Sequence, residues 1–156
     1  MSIQNVRARI ALLQRSIPGI SLAYEQLPKG IINSADLPLF MNFVRDANYD
    51  QDAIGSDDIQ VSRTYLMWLM VKPVAEGEEG EGESLVEPYI ESVSNYFLAR
   101  PTLEDLTGIV SADLISDTGP KRMVWPGTPT NPIGVFWGTE FRLNVTEVVE
   151  RNYVDY

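Results

Sequence analysis

Carboxylates are the chemistry-bearing side chains that this sequence concentrates. Glu76-Gly-Glu-Glu-Gly-Glu-Gly-Glu83 places Glu76, Glu78, Glu79, Glu81 and Glu83 within eight positions. Like charges and glycines both oppose compaction, so the run reads as a solvated strand-to-helix loop. A second reading is a negative surface that repels DNA or meets a basic partner. Metal chelation by the run is disfavoured, because glycine gives its ligands no fixed geometry. Asp46-Ala-Asn48-Tyr-Asp50-Gln-Asp52 has the alternating oxygens of the first half of a calcium loop, with Asp57 at the twelfth position. The match is flawed. Gln51 replaces the glycine of the sharp turn, Asp57 is shorter than the usual bidentate glutamate, and a strand rather than a helix precedes it. A polar loop using Asp and Asn as turn formers explains the same residues. A pair of carboxylates can hydrolyse glycosides, but here the acids cluster in loops and outline no cleft. Trp68, Trp125 and Trp137 could stack a sugar or a base. Two of them lie inside apolar stretches, which reads as core packing.

The wider composition removes other chemistries. Of 156 residues, 12 are Lys or Arg and 22 are Asp or Glu, a formal net charge of −10, and the pI is near 4.4. Histidine and cysteine are absent. Without them there is no Ser-His-Asp or Cys-His triad, zinc knuckle, iron–sulfur cluster or disulfide frame. No cofactor is indicated. General nucleic-acid binding needs a dense basic surface that the chain lacks. Apolar residues at 44% and charged residues at 22% are globular values, and residues 1–156 read as one domain. No apolar run approaches the ~18 residues of a membrane helix. The N-terminus has no secretory core, and the lack of cysteine suits a reducing cytosol.

The elements that must position these residues follow from periodicity. Ile3, Val6, Ile10, Leu13 and Ile17 recur at three- and four-residue steps, predicting an amphipathic helix that Pro18-Gly19 stops. Arg7, Arg9 and Arg15 lie off that apolar face, and no acid precedes Glu25. Two readings stand: a solvated face, or a cationic patch that meets an acidic patch on a neighbouring subunit. Alternation predicts strands over 20–25, 37–44 and 59–71. In the third, Ile59, Val61, Tyr65, Met67, Leu69 and Val71 form one apolar face, and Trp68 and Met70 make the other face apolar too. That strand should be central in its sheet. Ser84-Leu-Val-Glu87 fits a capping box opening a second helix, with Pro88 tolerable in its first turn and Pro101 beyond its end. Strands return over 109–116 and 121–125, predicted as a hairpin around Asp117-Thr-Gly119-Pro120, and over 135–149. Strand and helix runs that do not alternate strictly predict an α+β domain, with a mostly antiparallel sheet and two main helices packed on it. The stretches 45–58, 73–83 and 117–134 read as long loops. Loops of that length in a compact domain are functional or need a partner to order them.

Several segments, taken in order, carry a resemblance over nearly the whole chain. They are Val6-Arg-Ala-Arg-Ile10, Ser16-Ile-Pro-Gly-Ile20, Ala35-Asp-Leu-Pro38, Arg63-Thr-Tyr-Leu66, the Gly/Glu run, Leu85-Val-Glu-Pro88, Phe97-Leu-Ala-Arg-Pro101 and Glu140-Phe-Arg-Leu-Asn-Val-Thr-Glu147. In order and spacing they resemble the tail terminator proteins of long-tailed bacteriophages, also called minor tail or tail completion proteins. The resemblance implies a small α+β subunit that forms a homohexameric ring on the head-proximal end of the tail tube. Such a ring ends tube polymerisation and joins the tail to a head completion or connector protein. DNA passes through its lumen without specific binding. It further implies a virion protein of the tail–neck region, assembled in the host cytoplasm, that is not an enzyme and has no catalytic residues. On this reading Arg7, Arg9 and Arg15 make subunit contacts, an apolar sheet edge or Tyr153 and Tyr156 add to them, and Glu76–Glu83 borders the lumen or an axial face. The alternatives are a head–tail connector or stopper, a tail tube subunit, and, from another class, a calcium- or carbohydrate-binding module.

Overall fold

Strand pairing builds a six-stranded sheet in which the strands with the most apolar residues lie innermost. The computed structural model describes residues 3–50, 58–75 and 79–150. In chain order the elements are α1 (Ile3–Arg15), β1 (Leu22–Tyr24), a 3-10 turn (Ser34–Asp36), β2 (Leu39–Asp50), β3 (Asp58–Pro73), α2 (Glu79–Leu98), β4 (Ile109–Asp117), β5 (Lys121–Val124), the two-residue β6 (Gly127–Thr128) and β7 (Asn131–Pro132), and β8 (Val135–Glu150). The sheet order is β1-β2-β3-β8-β4, with β5 also paired to β8. β1 runs parallel to β2, and the remaining pairs are antiparallel. The fold is α+β, as the unalternating element order predicts.

β3 lies between β2 and β8, the place that two apolar faces require. Its odd positions face the helices. Tyr65, Met67 and Leu69 pack with Phe40, Phe141 and Leu143 beneath Val6, Ile10 and Leu13 of α1 and Val93 and Phe97 of α2. A smaller cluster of Leu39, Met41, Met70, Met123 and Phe136 with Ile32 covers the opposite face. One polar device crosses the helix-side core. Gln14 and Asn42, both buried, exchange two amide hydrogen bonds of 2.7 and 2.8 Å, which ties α1 to β2.

Three local expectations are corrected. The stretch 109–125 is not a hairpin. β4 pairs with β8 from Ile109↔Glu147 to Asp117↔Phe141, and β5 continues along the same edge from Lys121↔Gly138 to Val124↔Val135. Asp117-Thr-Gly-Pro120 is a jog within one edge, held where Thr118 N donates to Glu140 O at 3.0 Å and Glu140 N donates to Thr118 Oγ1 at 3.1 Å. The stretch from Arg45 is not loop from its first residue. β2 passes a bulge between Val44 and Ala47 and stays paired with β3 to Asp50; residues 51–57 lie outside the described residues. Finally, α2 opens at Glu79 rather than at Ser84. Ser84 Oγ donates back to Gly80 O at 3.1 Å, a bond of a helix interior and not of a cap. The extra turn forms because buried Gly82 lies flat against the Trp137 ring, where a Cβ would overlap the indole.

Candidate assembly surfaces

The three arginines of α1 do not form one free cationic face. Arg9 Nη1 donates to Leu103 O at 3.0 Å and to Glu104 O at 3.3 Å. Leu103, Glu104 and Asp105 have φ of 52°, 58° and 58°. For side chains with a Cβ that conformation costs about 1–2 kcal/mol per residue, so the turn needs outside support. It has the Arg9 clamp, the fully buried Leu103 side chain, and an Arg100–Glu104 ion pair at 2.9 Å. Arg15 reaches Ala23 O at 3.3 Å and lies 3.9 Å from Glu25, an exposed pairing of small worth. Arg7 turns inward, and its Nε is buried without a hydrogen-bond partner.

Arg7 points into a buried polar group that the apolar pattern hides. Tyr65 Oη is also buried without a partner. Burial pushes its pKa up to about 12, helped by the Glu147 carboxylate and opposed by Arg63 and Arg7. Glu147 is 6% exposed. Burial raises its pKa, and the Arg63 guanidinium offsets only part of that rise. Arg63 also donates to Arg45 O and Tyr49 Oη, at 3.1 and 3.3 Å. A groove of about 360 Å³ passes over this pair, walled by Ile3, Tyr49, Ile59, Val61 and Val149. Sequence reasoning missed the group, although a signal existed: Arg63 and Glu147 fall in phase with the apolar residues of two period-two strands. Gln14 is likewise in phase with Ile10 and Ile17.

The acidic run divides. Glu81 and Glu83 are exposed in the first turns of α2, where the helix dipole favours carboxylates. Glu79 begins that helix. Glu76 and Glu78 lie outside the described residues, as do Tyr153 and Tyr156. Along the outer face of α2, Ser84, Glu87, Glu91, Asn95 and Leu98 recur at helical spacing, all exposed. On α1, a groove of about 490 Å³ runs past Asn5, Ala8, Leu12 and Arg15, and is closed by Glu25, Leu106 and Thr107.

The chemistry weighed from sequence is not brought together. Asn48 and Asp50 lie on β2, two residues apart on a paired strand, so their side chains stand roughly 7 Å apart. That extended backbone is not the tight turn that wraps a calcium loop around its ion; Asp52 and Asp57 lie outside the described residues. Trp137 packs under α2, whereas Trp68 and Trp125 sit with Phe43 on the opposite face, so the three indoles form no single platform. Trp68 Nε1 donates to Glu140 at 2.7 Å. Among the described residues no cluster of three or more Asp or Glu is placed to hold a metal ion, and no helix is long and apolar enough to cross a membrane. Comparison with family models and with curated proteins finds no match to the chain.

Proposed function

We propose that this chain is a structural virion protein of a long-tailed phage. Copies close into a ring at the head-proximal end of the tail tube, stop its polymerisation and join it to the head connector. The protein acts by surface complementarity and uses no cofactor. The observation that carries this reading is where the resembling segments fall. Val6–Ile10 is in α1, Ala35–Pro38 leads into β2, Arg63–Leu66 is in mid β3, Leu85–Pro88 and Phe97–Leu98 are in α2, and Glu140–Glu147 is in β8. The likeness therefore runs through the whole framework and is not confined to one loop. The grooves of the described surface also suit contact better than catalysis: they are open, and each of these two is lined by a single carboxylate, Glu25 in one and Glu147 in the other.

Electron microscopy of the purified protein, alone and added to polymerising tail tubes, tests the reading. Single sixfold rings that cap tubes at one end are expected. Stacked rings made by the chain alone would mark it as a tube subunit. Binding to connectors but not to tubes would mark it as a stopper. A calcium-induced rise in melting temperature would favour the binding-module alternative.

A further inference from the structure

The two helices lie on the same side of the sheet but carry charge of one sign each. α1 contains no acid and three arginines, Arg7, Arg9 and Arg15, of which Arg15 is the exposed one, beside Glu25; α2 contains Glu79, Glu81, Glu83, Glu87 and Glu91 and no base. They also stand over different flanks: α1 contacts β1 and β2, while α2 contacts β8, β4 and β3. Each leaves a large apolar side chain in solvent on its outer face, Leu12 at 49% and Leu98 at 63% exposure.

We propose that the outer groove of α1 receives the outer face of α2 from a second copy. Small Ala8 and protruding Leu12 give the groove a ridge-and-hollow surface of the kind that helix packing uses. Glu87, Glu91 and Leu98 share one stripe of α2, at spacings of four and seven residues. An antiparallel crossing that sets Leu98 on Ala8 and Leu12 points Arg15 toward Glu91. The contact is heterologous, one flank meeting a different flank, and it leaves a free α1 groove and a free α2 face at the ends of any open chain. Such contacts close into rings when the rotation between copies allows. This rests on the self-association in the proposed function and specifies which surfaces meet.

The absence of cysteine permits a direct test. Leu12→Cys and Leu98→Cys change exposed positions, and the two variants are mixed under mild oxidation. The expected result is a disulfide-linked dimer several-fold more abundant than from Leu12→Cys mixed with Ile133→Cys, an exposed control elsewhere. In parallel, Glu87→Arg with Glu91→Arg should weaken association roughly tenfold, and adding Arg15→Glu should restore much of it. Cross-linking no higher than control, or charge reversal without effect, overturns the contact. If sixfold rings form while the cross-link fails, only this contact is wrong. If the cross-link forms but the product is an open chain or a dimer, the contact stands and the ring falls. A chain that stays monomeric at every concentration overturns the contact, and capping of tubes then decides the ring separately.

Discussion

Glu147 shows how one residue can oppose the fold that holds it. Its folded pKa lies above the ordinary 4.5 because burial disfavours the charged form. The stability it contributes is therefore present at low pH and lost as pH rises through the folded pKa. At neutral pH the ionised carboxylate weakens the native state. Glu147→Gln keeps the shape and removes the charge, so it should raise the melting temperature at pH 7, by the equivalent of about 1 kcal/mol. The gain should shrink as pH falls through the raised folded pKa and be gone below the ordinary 4.5. No gain at pH 7 would mean that a cation compensates the carboxylate there. Gly82 makes the opposite argument. Alanine would add about 1 kcal/mol of helix propensity, but its Cβ would overlap the Trp137 ring. That ring is buried between strand and helix, and overpacking of this kind costs about 1–3 kcal/mol. Gly82→Ala should therefore lower the thermal midpoint and shift tryptophan fluorescence as α2 lifts; a higher midpoint would show that the indole yields.

At the scale of elements, Ser84 separates two descriptions of where α2 begins. As an N-cap, its replacement by alanine would cost about 1 kcal/mol. Inside the helix, with its hydroxyl bonded back to Gly80 O, the same change should cost nothing and gain a few tenths of a kcal/mol from propensity. The urea midpoint of Ser84→Ala measures the difference, and a clear loss would return the helix start to Ser84. The capping-box pattern misleads because it is local, whereas the extra turn is held by Trp137, about 55 residues away along the chain. β3 and β8 were legible for the opposite reason: period-two alternation, apolar on both faces where the strand is central, reports burial directly. The Asp117–Pro120 jog was not legible. Its turn chemistry serves a hairpin or an interruption equally, and the choice between them is made by pairing to β8. The candidate surfaces were only half readable. The sign of charge on each helix is in the sequence, but that Arg9 is occupied in clamping Leu103 and Glu104 depends on a contact between distant segments.

For the whole molecule, net charge and local charge make opposing demands on assembly. Each copy carries −10, so six would carry about −60 and repel one another. The proposed contact between α1 and α2 of neighbouring copies would instead join opposite signs. Distance decides which effect salt removes first. A chain of this length has a radius of gyration near 15 Å, which puts neighbouring centres roughly 40 Å apart. Paired side chains at the contact would be about 4 Å apart. Raising the ionic strength from about 0.01 to 0.15 M shortens the screening length from about 30 to 8 Å. That suppresses the long-range repulsion far more than the close pairs, and burial of Leu12 and Leu98 is not screened at all. Association should thus tighten with salt over this range, read as a rise in mean mass by sedimentation or light scattering. Steady weakening over the same range would mean that exposed ion pairs dominate the contact, and that the apolar part of the helix interface contributes little.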